Sequence, residues 1–193
     1  MATYQAIGAV AEAVRRLLAQ SWRSQPGGLQ PRFEVYHRTD FDNPMTTGIS
    51  VFVYQVAIDS VQRTLPPPAP DRRRPLPLSI SLMLTAWAST ASTEHSLLGW
   101  AMRAIDDNPV LSSGFLNAAF ADVFRPEETV ELVAAHLSND EVFQLWQAMP
   151  IHLQLSMPYQ ARVVRIDSDD PRPVGEPVRV RELELVTPVG SES

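Results

Sequence analysis

The sequence predicts an α+β fold, mixed α/β layers with helices packed on a sheet. Three observations carry this. Leu76 to Ala88 alternates strictly, with Leu76, Leu78, Ile80, Leu82, Leu84 and Ala86 facing one way and Ser79, Ser81, Met83, Thr85 and Trp87 the other. That period of two is expected of a half-buried strand. Gly48 to Asp59 is dense in β-branched and aromatic residues, the composition of a second long strand. Segments with apolar residues at helical spacing lie before and after this pair.

Taken in order, the elements are these. Thr3 is positioned to cap a helix running to about Gln20, with Ile7, Val10, Ala11, Val14, Leu17 and Leu18 on its apolar stripe. Ser24-Gln-Pro-Gly-Gly28 breaks it. Arg32 to His37 reads as a short strand, and Thr39 to Gly48 as a turn-rich loop. Asp40 and Asp42 in that loop lack the glycine and closing glutamate of a calcium loop. After the two long strands, Ser92 is positioned to cap a helix to Asp107, with Leu97, Leu98, Ala101, Met102 and Ile105 on its stripe. Its terminal Asp106 and Asp107 oppose the helix dipole, so they meet either solvent or a basic partner.

Leu111 to Phe124 reads as a loop with one helical turn. Glu128 to His136 is ambiguous: Pro126 suggests a helix start, yet Val130, Leu132 and Ala134 alternate. Ser138 and Glu141 form a capping box for a helix carrying Val142, Phe143, Leu145, Trp146 and Met149. Ile151 to Ile166 is the last core strand, with Met157, Tyr159, Ala161 and Val163 on one face. Pro158 inside it requires an edge or a bulge. The expected order is α-β-β-β-α-β-α-β in one domain over residues 1–167. Residues 168–193 form a proline-rich extension in which Val178 to Val186 has the composition of a further strand.

Composition excludes several chemistries. The absence of cysteine removes disulfides, thiolate metal sites and thiol nucleophiles. A net charge of −6 argues against a dedicated nucleic-acid binder. His37, His95, His136 and His152 are scattered, with no helical zinc spacing. No phosphate-cradling glycine loop or nucleophile elbow is present, so neither catalytic residues nor a cofactor or metal is assigned. The first residues lack a basic start and a continuous apolar run, and no segment has the length of a membrane-spanning helix. A soluble, cytoplasmic chain is expected.

The dense basic cluster is Arg72, Arg73 and Arg74, inside a Pro-rich insert over residues 63–75 between the long strands. Two residues suffice for a hairpin turn. A longer, proline-stiffened excursion fits an arm that reaches outside the domain, because a stiff arm loses less entropy on docking. Such a cluster either docks on an acidic surface or keeps a loop tip solvated.

The run Asn43-Pro-Met-Thr-Thr-Gly-Ile-Ser-Val-Phe-Val-Tyr-Gln-Val56, the Pro-rich insert, the alternating strand, Leu145-Trp146 and Tyr159-Gln-Ala-Arg-Val-Val-Arg-Ile-Asp167 together resemble the cap, or tail-terminator, proteins of phage-tail-like contractile injection systems. The resemblance covers Tyr4 to Asp167. It implies a structural protein: a hexameric ring of identical subunits at the end of the inner tube and sheath remote from the baseplate. Its partners would be itself, the inner tube protein and the sheath protein, with no cofactor, catalysis, membrane insertion or nucleic acid. The candidate contacts are Arg72, Arg73 and Arg74 in the arm and Val178, Val180, Leu183 and Leu185 in the tail. The alternatives are a monomeric adaptor that binds an acidic partner through Arg72–Arg74, and a small enzyme of unrecognised type.

Overall fold

The computed structural model describes residues 2–23, 28–60, 62–64 and 74–168. A six-stranded mixed sheet of order β1-β2-β3-β6-β5-β4 is its centre. The strands are β1 (Arg32–Tyr36), β2 (Gly48–Ile58), β3 (Leu76–Trp87), β4 (Val110–Ser112), β5 (Thr129–Ala134) and β6 (Ser156–Ile166). Between them lie α1 (Ala6–Ser21), α2 (Ala91–Asp106), the single turn α3 (Ser113–Leu116) and α4 (Asn139–Gln147). Only β1 and β2 pair in parallel; the other strand neighbours are antiparallel. The expected α+β class holds; α3 is the single turn expected between Leu111 and Phe124, and β4 is added just before it.

β3 occupies the middle of the sheet and is buried on both faces, not one. Ile80, Leu82, Leu84 and Ala86 pack with Val10, Val14 and Leu18 of α1 and Leu97, Ala101 and Ile105 of α2. Each large aliphatic side chain so enclosed contributes about 1.5–3 kcal/mol. On the opposite face Trp87 joins Tyr36, Phe41, Met45 and Trp146 in a second cluster. The Trp87 indole N–H donates to Ser50 Oγ at 2.8 Å, which satisfies a polar group in a dry layer. The serines and threonines that suggest a solvated face are therefore roofed by aromatic residues from the Arg38–Asp42 turn and from α4.

Other expectations shift locally. α1 begins at Ala6, with Gln5 and not Thr3 in the cap position. The N-cap of α2 is Thr90, whose side chain accepts from Thr93 N, and not Ser92. Asp106 and Asp107 meet Arg103 of their own helix, the former at 3.0 Å. Residues 129–134 form a strand. The capping box of α4 forms as expected, with Glu141 N donating to Ser138 Oγ and Ser138 N to Glu141 Oε2.

β6 starts at Ser156, five residues later than expected, and lies between β3 and β5. Pro158 is neither on an edge strand nor at the bulge. It sits where β5 runs out, its carbonyl accepting from Ala135 N at 3.0 Å. Nitrogen and carbonyl of one strand residue point to the same side, so its missing N–H faces away from β3. The bulge lies further on. β3 pairs Leu78 with Val164 and Ile80 with Ala161, so β6 carries one extra residue there. Val163 has φ 68°, is outward and exposed, and Val164 takes the buried position. β2 carries a matching extra residue, Tyr54, opposite the Ser81–Leu82 step.

Candidate interaction site

The sequence-predicted contacts belong to two separate stretches of chain, and the topology brings their roots to one end of the sheet. Ile58, where β2 ends, pairs with Leu78; Leu76, where β3 begins, pairs with Ile166, where β6 ends. The Pro/Arg-rich arm over residues 63–75 thus leaves and re-enters beside the point from which residues 168–193 depart. Arg74 is exposed at the root of β3. Arg72, Arg73, Val178, Val180, Leu183 and Leu185 lie outside the described residues.

Hydrogen bonds brace this end. Asp59 N donates to Pro77 O at 3.0 Å, and Gln62 N to Asp59 Oδ1 at 3.1 Å. Arg165 Nε donates to Gln62 Oε1 at 2.9 Å, joining the arm root to β6. Ala2 N donates to Arg165 O and Asp167 N to Ala2 O, each at 2.8 Å, so the N-terminus forms a parallel bridge beside the last residues of β6. Arg125 pairs with Asp167 at 3.0 Å. A main-chain clasp, an amide–guanidinium bond and an ion pair hold one small platform. Sequence reasoning missed this convergence, because it depends on strand order.

Among the described residues, concavities lie elsewhere. One of about 360 Å³ runs between α2 and β5–β6, lined by Met102, Arg103, Ile105, Asp106, Leu132, Met157 and Tyr159. Another, about 410 Å³, is polar and is lined by Arg32, Glu34, Tyr36, Asp40, Asn43 and Thr46. Burial raises the Tyr36 and Tyr159 phenols above their ordinary range, and that of Tyr54 likewise. The Tyr36 hydroxyl already accepts a 2.7 Å bond from Met45 N. Glu141 is held below the ordinary carboxylate range by its backbone bond to Ser138, a capping effect. All four histidines are exposed, and among the described residues no cluster of three or more His, Asp or Glu is suited to a metal. Among the described residues, no helix is long and apolar enough to cross a membrane.

One end of the sheet thus carries the roots of both arm and tail, braced by backbone and side-chain bonds. The chain belongs to the Pvc16 N-terminal domain family, whose model matches residues 9–180. Its fold is similar to that of the sheath/tube terminator, in the extended state, of an extracellular contractile injection system, PVC. The TM-score is 0.59 at 16% identity, over 100% of this chain and 67% of that one. It is also similar to the tube-terminating cap of the anti-feeding prophage, with a TM-score of 0.52 at 19% identity, over 91% of this chain and 60% of the other. The chain thus spans about two thirds of the length of these structures or less. No curated protein matches it.

Proposed function

We propose that this protein is the structural cap of a contractile injection particle, a ring that ends the inner tube and sheath at the pole remote from the baseplate. The observation that supports it best is the family match over residues 9–180, and the fold's similarity to a sheath/tube terminator and a tube-terminating cap points the same way. The partners are copies of itself, in a homohexamer, together with the tube and sheath proteins. The arm, with Arg72, Arg73 and Arg74, and the tail, with Val178, Val180, Leu183 and Leu185, make the contacts. The braced platform presents both to the same neighbours. Assembly takes place in the cytoplasm, and the protein performs no catalysis. Heterologous contacts that close on themselves give a ring without further machinery.

The test is the mass of the purified protein by light scattering, with negative-stain imaging, beside particles made without it. Closed rings and particles of uniform length only when the protein is present are expected. A monomer that tube and sheath ends fail to recruit, with particle length unchanged by its loss, refutes the proposal. Neutralising Arg72, Arg73 and Arg74 together is expected to weaken capping; undiminished capping removes the arginines from the contact set.

A further inference from the structure

β2 is longer than the strand that covers it. β1 pairs with β2 only from Gly48 to Phe52, and among the described residues no strand pairs with Val53 to Ile58 on that side. Six residues, about 20 Å of strand, therefore present backbone donors and acceptors at an open edge. Such an edge is a template for another strand. Its apolar side chains are uncovered too: Val56 is 41% and Ile58 48% exposed, although their cross-strand partners Ile80 and Leu78 are buried.

We infer that this edge is the acceptor for the tail strand, residues 178–186, of a second copy of the chain. Leu183 and Leu185 are spaced two apart, as are Val56 and Ile58, so one strand face can set the first pair beside the second. Glu182 and Glu184 alternate with those leucines, and the root of the arm beside the edge carries exposed Arg63 and Arg74. The donor comes from another copy because of the topology. The tail departs from β6, two strands away from β2, and the connection over residues 59–75 leaves β2 and enters β3 at the same end of the sheet. A tail folding back onto its own β2 would have to cross that connection, and connections at one end of a sheet avoid crossing. The nine residues between Ser168 and Val178 reach about 30 Å when extended, enough to leave the subunit. Donor and acceptor at different places on one chain make a head-to-tail contact, which closes into a ring or runs on as a filament. The inference rests on the ring reading above and gives it an interface.

The chain has no cysteine of its own, so two full-length variants, Val56→Cys and Leu183→Cys, can be mixed and oxidised without background. The expected result is a mixed disulfide well above the half share that random collision gives. Ile58→Cys with Leu183→Cys repeats the test at a second acceptor position and for a tail running the opposite way along the edge. Both cysteines in one chain are expected to give covalent multimers. A product of monomer mass with no free thiol places the tail on its own subunit and overturns the inference. So does disulfide capture of Val56→Cys by an accessory cysteine placed in the sheath protein, or failure of both mixed pairs in purified protein and in intact particles. Rings in the microscope without the mixed disulfide leave the cap reading standing and remove this interface. The mixed disulfide without rings keeps the strand exchange and removes the ring.

Discussion

Trp146 holds α4 against the sheet, and its removal gives a sharp test of how the second face is closed. It is the buried residue of α4, 4% exposed, and its ring lies 6.0 Å from Phe41 at 83°. Burying an indole takes roughly 200 Å² from water, worth about 5 kcal/mol at the usual area coefficient. Among the described residues its Nε1 has no hydrogen-bond partner, which offsets that gain by about 2 kcal/mol. Trp146→Ala should therefore cost about 3 kcal/mol and lower the urea midpoint by roughly 1.5 M, taking a slope near 2 kcal/mol/M. Trp146→Phe keeps most of the ring and discards the unsatisfied N–H, so its cost should stay below about 1 kcal/mol. Phe143, three residues earlier on the same helix but 53% exposed, is the control: Phe143→Ala should fall within about 0.5 kcal/mol of the parent. Urea titrations followed by far-UV circular dichroism measure all three. Equal midpoints for Trp146→Ala and Phe143→Ala would refute the reasoning, since indole burial would then not be what docks α4.

Three further outcomes follow from the same geometry. Gly48 has φ +155°, and a Cβ there would stand 2.1 Å from Arg32 O; Gly48→Ala should cost about 3 kcal/mol and loosen β1, read by hydrogen exchange at Phe33 and Val35. The depressed Glu141 carboxyl stabilises the start of α4 above the ordinary carboxylate range and loses that contribution as pH falls through its folded value. Acid titration should therefore raise amide exchange in α4, and Glu141→Ala should abolish that pH dependence. Tyr36, Tyr54 and Tyr159 are raised by burial. Their stabilising effect is present below the free tyrosine range and lost as pH rises through the folded values, so ultraviolet titration should show phenols ionising late and together with unfolding.

Local chemistry was legible where it is self-contained. The Ser138–Glu141 capping box depends on three residues of spacing and formed as written. Before α2, Thr90, Ser92 and Thr93 all compete, and spacing alone did not select Thr90. The burial of both faces of β3 could not be read from its own serines and threonines, because the roof comes from Phe41 and Trp146, about forty and sixty residues distant in the chain. The Val163 assignment failed at a phase slip that the sequence does carry: Tyr159, Ala161, Val164 and Ile166 step by two, three and two. A strict alternation rule passes over that three, which is the trace of a bulge. The candidate site was half legible. Its arm and tail stand out by composition, but their shared origin follows only from β2, β3 and β6 being neighbours.

Those two bulges have a mechanical meaning. Tyr54 and Val163 interrupt the strands on either side of β3 within the short stretch from Ser79 to Leu82. Each adds local twist, so together they score a crease across the middle of the sheet. The arm's two roots and the tail's exit all lie beyond the crease, so two surplus residues set the direction in which they leave the sheet. Trimming either surplus residue is expected to redirect the roots of arm and tail at once without touching any of the proposed contact residues.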